Sequence, residues 1–329
     1  MTALLTGPGR AGADGRAGVR IGLDIGGTKI EGVALGPGGA VLARRRARSA
    51  EGVRAVVEAA AAVVDALTAD LGTDLTDAPA GRPAAVGVGI PGLVDPAAGT
   101  VGDAVNLGFG PDRVPFGPAL SARLGGVPVT VENDVNATAL GARELLAPGA
   151  DLALLSLGTG LAAGVVVGGA LLRGARGAAG EVGHLALDPR GLPCPCGQRG
   201  CLETVASGAA LRRAWPHGGE GRSAEHLFAA AGAGDPAAVA VRDAWAGAVA
   251  LAVRTLALTC DPEHLVLGGG VAAVGEPLRE AVAAALRAQA AGSRFLRGLA
   301  VDERLTLLPT GTPVAAVGAA RLGERTGAP

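Results

Sequence analysis

Residues 180–203, GEVGHLALDPRGLPCPCGQRGCLE, concentrate side chains that can do chemistry. Cys194, Cys196 and Cys201 are three of the chain's four cysteines, and His184, Glu181 and Glu203 lie in the same stretch. Thiolate sulfur and imidazole nitrogen are the ligands zinc prefers, and three Cys plus one His close a tetrahedron with no position left for water. Such a site is structural. Disulfides are the alternative, but three clustered cysteines cannot all pair and nothing points to an oxidising compartment. Gly197 and Gly200 supply the backbone freedom a tight metal loop needs. A second group, Asp24-Ile25-Gly26-Gly27-Thr28-Lys29, joins two apolar runs. Gly27 and its neighbour let backbone approach a phosphate, Thr28 adds a hydroxyl, and Asp24 can hold a hydrated Mg²⁺. Lys29 is the chain's only lysine. A third group is Asn133-Asp134, between a strand and a helix. It reads as a helix N-cap, as a carboxylate at a cleft mouth, or as both.

The elements that must position these groups alternate between β and α patterns. Apolar runs at 19–24, 28–35 and from 41 predict a strand, a glycine hairpin and two further strands, a layout distinct from a P-loop. Residues 52–71 carry helical spacing, 79–83 break the chain, and 85–90 form a strand. That strand enters Gly87-Val-Gly89-Ile-Pro-Gly92, which fits GxGxxG by letter, but Pro91 and the residues after it open no helix, so a dinucleotide site is not expected. A strand at 127–132 and a helix at 135–146 follow. Strands at 152–157 and 161–167 then flank Gly158-Thr159-Gly160, repeating the first hairpin. Two such hairpins would cradle a polyphosphate between domains. Helices are expected at 206–214, 224–231, 236–260, 277–291 and 314–322, with strands at 264–267 and 305–308. The strand at 264–267 ends in Gly268-Gly269-Gly270, bare backbone suited to a flat base or ribose.

The 329 residues are enough for two domains. With 49% hydrophobic but 2% aromatic residues, the cores must be built from Ala, Val and Leu. A net charge of −1 gives no case for nucleic acid or an anionic membrane. Residues 152–172 are uncharged and long enough to span a bilayer, but their glycines and alternating valines read as two strands. Residues 1–18 lack an apolar core of signal-peptide length and are expected as a disordered tail. A cytoplasmic chain with free thiols follows, Cys260 being a buried thiol in an apolar helix.

DIGGTK at 24–29, IPG at 90–92, END at 132–134, GTG at 158–160, GEVGH at 180–184, CPCGQRGCLE at 194–203 and LGGGV at 267–271 together resemble the ROK family of bacterial sugar kinases and related repressors. The resemblance covers nearly the whole chain from Val19. It implies an α/β actin-like ATPase (ribonuclease-H-like) fold of two domains, 19–132 and 133–329, with an interdomain cleft, the last helix, 314–322, packing back on the first domain. It implies that Asp24, Gly27, Thr28 and Lys29 with Gly158, Thr159 and Gly160 hold the phosphates of ATP and its Mg²⁺, and that Gly269 and Gly270 line the adenine side. Glu181, His184 and Glu203 resemble the sugar-hydroxyl ligands, with Asn133 and Gly92 beside them. Asp134 matches the catalytic base. The metal ligands would be His184, Cys194, Cys196 and Cys201 around a structural Zn²⁺.

The expected activity is ATP-dependent phosphorylation of glucose to glucose 6-phosphate by a homodimer or homotetramer, with no nucleic acid or membrane partner. The alternatives are fructose, mannose or N-acetylmannosamine kinases, a polyphosphate-dependent glucokinase, an inactive sugar binder, and a sugar-sensing repressor. A repressor would need a helix-turn-helix of roughly sixty or more residues ahead of Val19. Two departures from the family pattern stand out. Asn106-Leu107-Gly108-Phe109 lacks the tryptophan of the family's Asn-Leu-x-x-Trp element, and Leu161-Ala162-Ala163 after the second hairpin is less glycine-rich than usual.

Overall fold

The computed structural model describes residues 18–72, 81–219 and 222–322. The expected tail at 1–18 lies outside these except for Gly18, as do the first two residues of the break at 79–83. The chain divides into two compact units, 1–146 with 312–329, and 147–311.

Unit 1 begins with β1 (Arg20–Ile25), β2 (Lys29–Leu35) and β3 (Val41–Arg48), followed by α1 (Val53–Leu71). Val56, Ala60, Val63, Val64, Leu67 and Leu71 recur at helical spacing on the buried face of α1. Next come β4 (Ala85–Ile90), the short β5 (Leu93–Asp95) and β6 (Thr100–Gly102), α2 (Phe116–Arg123), β7 (Val129–Asn133) and α3 (Asp134–Leu146). The main sheet has the order β3-β2-β1-β4-β7, antiparallel among the first three strands and parallel from β1 onward.

Unit 2 repeats this plan. It contains β8 (Leu152–Leu157), β9 (Leu161–Val167), β10 (Ala170–Leu171), α4 (Glu203–Ala206), α5 (Gly208–Ala214), α6 (Ser223–Gly232), α7 (Pro236–Cys260), β11 (His264–Gly268), α8 (Glu276–Ala290), α9 (Arg294–Gly298) and β12 (Leu305–Leu307). Its sheet runs β10-β9-β8-β11-β12 with the same change from antiparallel to parallel at the third strand. Residues 152–172 are thus strands. α7 is long and apolar enough, by length and composition, to cross a membrane. Here it packs with α4, α6 and α8, and Trp245, Val249, Val253 and Leu256 are buried in the unit's core. Asp235 caps it, its carboxylate accepting from the Ala237 and Ala238 amides, and Pro236 opens the first turn. Cys260 is half-buried rather than buried, because it is the last residue of α7. The helix expected at 206–214 is broken at Ser207, whose extended backbone and hydroxyl cap α5.

The final helix, α10 (Val314–Ala320), belongs to unit 1 and packs on α3, β1 and β4. Glycine makes this approach possible. A Cβ on Gly22, Gly87, Gly141 or Gly318 would fall 1.7–1.9 Å from a backbone carbonyl oxygen of the facing helix. Gly87, which made the sequence spell GxGxxG, is therefore a packing glycine. The expected boundary after Glu132 falls inside unit 1. α3 is clamped between β4, β7 and α10, so the division comes after Leu146.

Candidate functional site

In unit 1 the chemistry gathers where β1, β4 and β7 end. Asp24 lies near the end of β1 and pairs in register with Glu31 of β2 and Gly89 of β4. The turn that follows is closed by the Gly26 amide donating to the Lys29 carbonyl at 2.9 Å. Gly27, Thr28 and Lys29 are exposed on it. Asp24 itself is half-buried and has no hydrogen-bond partner among the described residues. Burial, then the neighbouring Asp134 carboxylate, push its pKa up to about 6 against the pull of Lys29. Asp134 is raised as well, chiefly by burial.

The two residues of the Asn-Asp pair divide the work. Asn133 Oδ1 accepts from the Val135 amide at 2.9 Å and the Asn136 amide at 3.4 Å, which makes Asn133 the cap of α3. Its Nδ2 donates to the Gly92 carbonyl at 3.4 Å. The Asp134 carboxylate takes only local backbone bonds, from the Val135 amide to Oδ1 at 2.9 Å and from its own amide. No other side chain hydrogen-bonds its carboxylate among the described residues. Buried Glu132 ties the corner together by accepting from the Asn133 amide and from Asn136 Nδ2, both at 3.0 Å.

Sequence reasoning missed Glu31. It is buried in the middle of β2 and accepts from Arg44 Nε at 2.7 Å and Arg46 Nε at 2.6 Å on the neighbouring β3. Burial alone would raise its carboxyl, but the arginine bonds outweigh that and hold the pKa below the usual range. Lys29 Nζ lies 3.9 Å from the same carboxylate. The signal was present as one Glu in KIEGVAL and the Arg44-Arg45-Arg46 run opposite it. The loop at 106–109 also belongs here: a Cβ on Gly27 would lie 2.9 Å from Asn106 Cβ. Phe109 faces inward, buried, with its ring 6.2 Å from that of Phe116.

In unit 2 the metal loop folds on its own bonds, with the Cys194 amide on the Gln198 carbonyl and the Leu187 amide on the Gly200 carbonyl. Gly200 has φ 71, and a Cβ there would strike the Asp188 carbonyl oxygen at 1.8 Å, so the turn demands glycine. His184, Cys194, Cys196 and Cys201 bring four ligand atoms within 4.8 Å of one another. Cys196 and Cys201 sulfurs are 3.6 Å apart, and Cys194 Sγ is 3.8 Å from His184 Nδ1. A tetrahedron with bonds of about 2.3 Å has edges of roughly 3.8 Å, whereas a disulfide needs about 2.05 Å. The set therefore fits a metal ion and not a bridge. The Gln198 backbone amide, then its side-chain amide, lower Cys196 to about 6. Burial pushes Cys194 up to about 12 and Cys201 upward too, a cost that a bound dication would offset.

Around this cluster stand the other polar groups of unit 2. Glu203 Oε1 accepts from the Cys194 thiol at 3.2 Å and lies 3.8 Å from His184 Nδ1. His184 Nε2 lies 3.9 Å from Glu181 Oε2. A Cβ on Gly160 would sit 3.0 Å from Glu203 Oε2, so the second hairpin adjoins this carboxylate. The hairpin is pinned by the Gly208 amide on the Gly158 carbonyl at 2.9 Å and the Ala209 amide on the Thr159 carbonyl at 3.3 Å. Gly269 lies against the end of β8, where a Cβ would meet Leu157 backbone at 2.6 Å, and Gly270 opens a 3₁₀ turn. The structure thus gathers Asp24, Gly27, Thr28, Lys29, Gly92, Asn133 and Asp134 in unit 1. In unit 2 it sets Gly158, Thr159, Gly160, Glu181, His184 and Glu203 around the metal loop, and Gly269 and Gly270 at the end of β8 and the turn after β11.

Two sheets of identical strand order, each with a glycine hairpin between its first antiparallel strands, define an α/β chain of the actin-like ATPase class. The chain belongs to the ROK family, whose profile matches residues 20–324. It is 32% identical over 333 residues to the glucokinase of Streptomyces coelicolor, covering 94% of this chain and 95% of that one. The solved ROK hexokinase of Thermus thermophilus is 34% identical with a TM-score of 0.76, covering 92% and 96% of the two chains. The ROK family glucokinase of Streptomyces griseus, solved with glucose and AMPPNP, is 31% identical with a TM-score of 0.70 over 93% and 99%.

Proposed function

We propose that this chain is an ATP-dependent glucokinase, transferring the γ-phosphoryl group of ATP to the 6-hydroxyl of glucose. The observation that carries the reading is Asp134. Asn133 takes over the capping of α3, so a half-buried carboxylate at the head of a helix is held only by local backbone amides and by no other side chain among the described residues, which leaves it acceptor capacity for a substrate. The glucokinase relatives, alike over nearly their whole length, supply the substrate class.

In this reading Asp134 accepts the proton of the attacking sugar hydroxyl as its oxygen bonds to the γ-phosphorus and ADP departs. The rest of the work is alignment. Gly27, Thr28 and Lys29 of one hairpin and Gly158, Thr159 and Gly160 of the other offer backbone amides, hydroxyls and one ammonium to the phosphates. Gly269 and Gly270 take the nucleoside side. Mg²⁺ bound with the nucleotide, with Asp24 as its protein carboxylate, would neutralise phosphate charge. Glu181, His184 and Glu203, with Asn133 and the Gly92 backbone, present fixed polar groups to the sugar hydroxyls. A substrate lacking a matching hydroxyl leaves them unpaired, which is the basis of selectivity.

The donor set favours zinc at the four-residue cluster, where it would anchor the loop. His184 would ligate through Nδ1, the nitrogen that faces Cys194, leaving Nε2 on the Glu181 side for a sugar hydroxyl. Free thiols and an ATP requirement suit the cytoplasm, and a homodimer or homotetramer is the proposed assembly. ADP release with MgATP against a panel of hexoses and amino sugars tests the reading, glucose being expected to give the highest kcat/KM. A tenfold preference for N-acetylmannosamine or fructose would reject glucose as substrate, and no turnover with any sugar would reject the kinase.

A further inference from the structure

The apolar second half of α7, residues 245–260, contains one charged residue, Arg254. It is half-buried, and among the described residues no hydrogen bond or ion pair holds it. A guanidinium stays charged at any physiological pH, so partial burial without an acceptor on an apolar helix is a position that a binding partner would explain. Arg254 lines a cavity of about 580 Å³ formed by α7, α8, α9 and the approach to β12. Two more arginines line it. Arg287 of α8 reaches Asp302 at 3.2 Å, and Arg297 of α9 donates to the Ala291 carbonyl. Against three guanidiniums stand Asp302 and Glu303, so the lining keeps one net positive charge. The remaining wall is apolar, with Leu286 and Val301 both buried.

We infer that this cavity is a binding site for a small organic anion, held by a fork of oxygens on Arg254 and Arg297 with its body against Leu286 and Val301. The volume falls within the range of small-molecule sites, roughly 300–1,000 Å³, and exceeds what a bare inorganic anion fills. Planar guanidiniums recognise paired oxygens of a phosphomonoester or a carboxylate equally well, so the shared chemistry is the anionic fork. The site lies within unit 2 and shares no residue with the hairpins or the metal loop, so it stands whether or not the kinase reading does.

Isothermal titration calorimetry on the full chain, with glucose and AMPPNP present to fill the proposed kinase site, tests it. Phenyl phosphate, benzoate and inorganic phosphate are the probes. At least one aryl anion should bind once per chain, the tighter of the two identifying the preferred fork, and inorganic phosphate should bind at least tenfold more weakly. Arg254→Gln should weaken the aryl anion tenfold or more. Arg297→Gln, on a short surface helix outside the core, should do the same. No binding of either aryl anion at millimolar concentration, inorganic phosphate binding as tightly, or wild-type affinity in either variant would overturn the proposal.

Discussion

Asp24 should destabilise the fold it serves. Its carboxyl is half-buried without a hydrogen bond among the described residues, next to Asp134, and its pKa is pushed up to about 6 from an ordinary 3.8. Each pKa unit corresponds to about 1.4 kcal/mol between protonation states, so ionised Asp24 costs the apo protein on the order of 2–3 kcal/mol. The folded pKa lies above the unfolded one, so the folded state binds the proton more tightly. The cost is therefore fully present above pH 6, shrinks as pH falls, and is gone below about 3.8. Asp24→Asn removes the charge and nearly preserves the shape. In the ligand-free protein it should raise the melting temperature of unit 1 at pH 8 by roughly 4–12 °C, using about 2–4 °C per kcal/mol for a unit of this size. At pH 5 the gain should be distinctly smaller. Calorimetric scans of wild type and variant at both values make the comparison, and MgATP turnover should be lost in the same variant. An Asn variant equally stable or less stable at pH 8, or a gain that does not shrink with acid, would refute the burial argument.

Other substitutions separate roles that lie close together. Asp134→Asn should lower kcat by about 10²–10⁴-fold with the fold intact, whereas Asn133→Ala should cost about 1 kcal/mol in denaturant melts through the lost cap; near-normal kcat in Asp134→Asn would remove it as the base. Cys196→Ala should reduce the metal, measured by elemental analysis, from one zinc per chain to far less, and should expose residues 193–200 to protease. Glucose affinity should fall sharply in that variant while nucleotide binding persists, and a zinc-free wild type with full activity would end the structural-metal proposal. Glu31→Gln should destabilise unit 1 by about 1–2 kcal/mol, since Arg44 and Arg46 are partly exposed and water screens the charges they keep. An unchanged urea midpoint would show that the arginine pair is idle.

Much of the fold could be read from the residues because the sheet interiors are written as short apolar runs separated by Gly and Thr. β4, β8, β9 and α7 fall where their patterns place them, and both hairpins sit between apolar strands. α2 escaped because FGPALSAR carries Pro118 and too few apolar positions for a helical period. The three-residue β5 and β6 are too short for any alternation to show. The unit boundary escaped for a different reason. Whether α3 packs forward or back depends on α10, which begins only at Val314, and local pattern carries no such information. At the site, the grouping of His184, Cys194, Cys196 and Cys201 was legible from residue type and spacing, and their ligand atoms do converge. The division of labour between Asn133 and Asp134, and the arginine pair on Glu31, depend on side-chain directions and cross-strand register, which become visible only in three dimensions.

The glycine-to-backbone contacts of α10 also bear on the order of events at the ribosome. Domains generally fold as units while synthesis proceeds from the N-terminus at about 5–20 residues per second. Unit 1 cannot do so, because the face formed by Gly22, Gly87 and Gly141 stays uncovered until residues 314–320 have emerged. Unit 2, continuous from 147 to 311, is complete earlier. The strands of unit 1 are thus among the last elements to reach their final packing, and a nascent chain halted just before α10 would present a finished second unit and a first one with its sheet face bare. Emergence of α10, rather than of residues 20–146, is the event that closes unit 1.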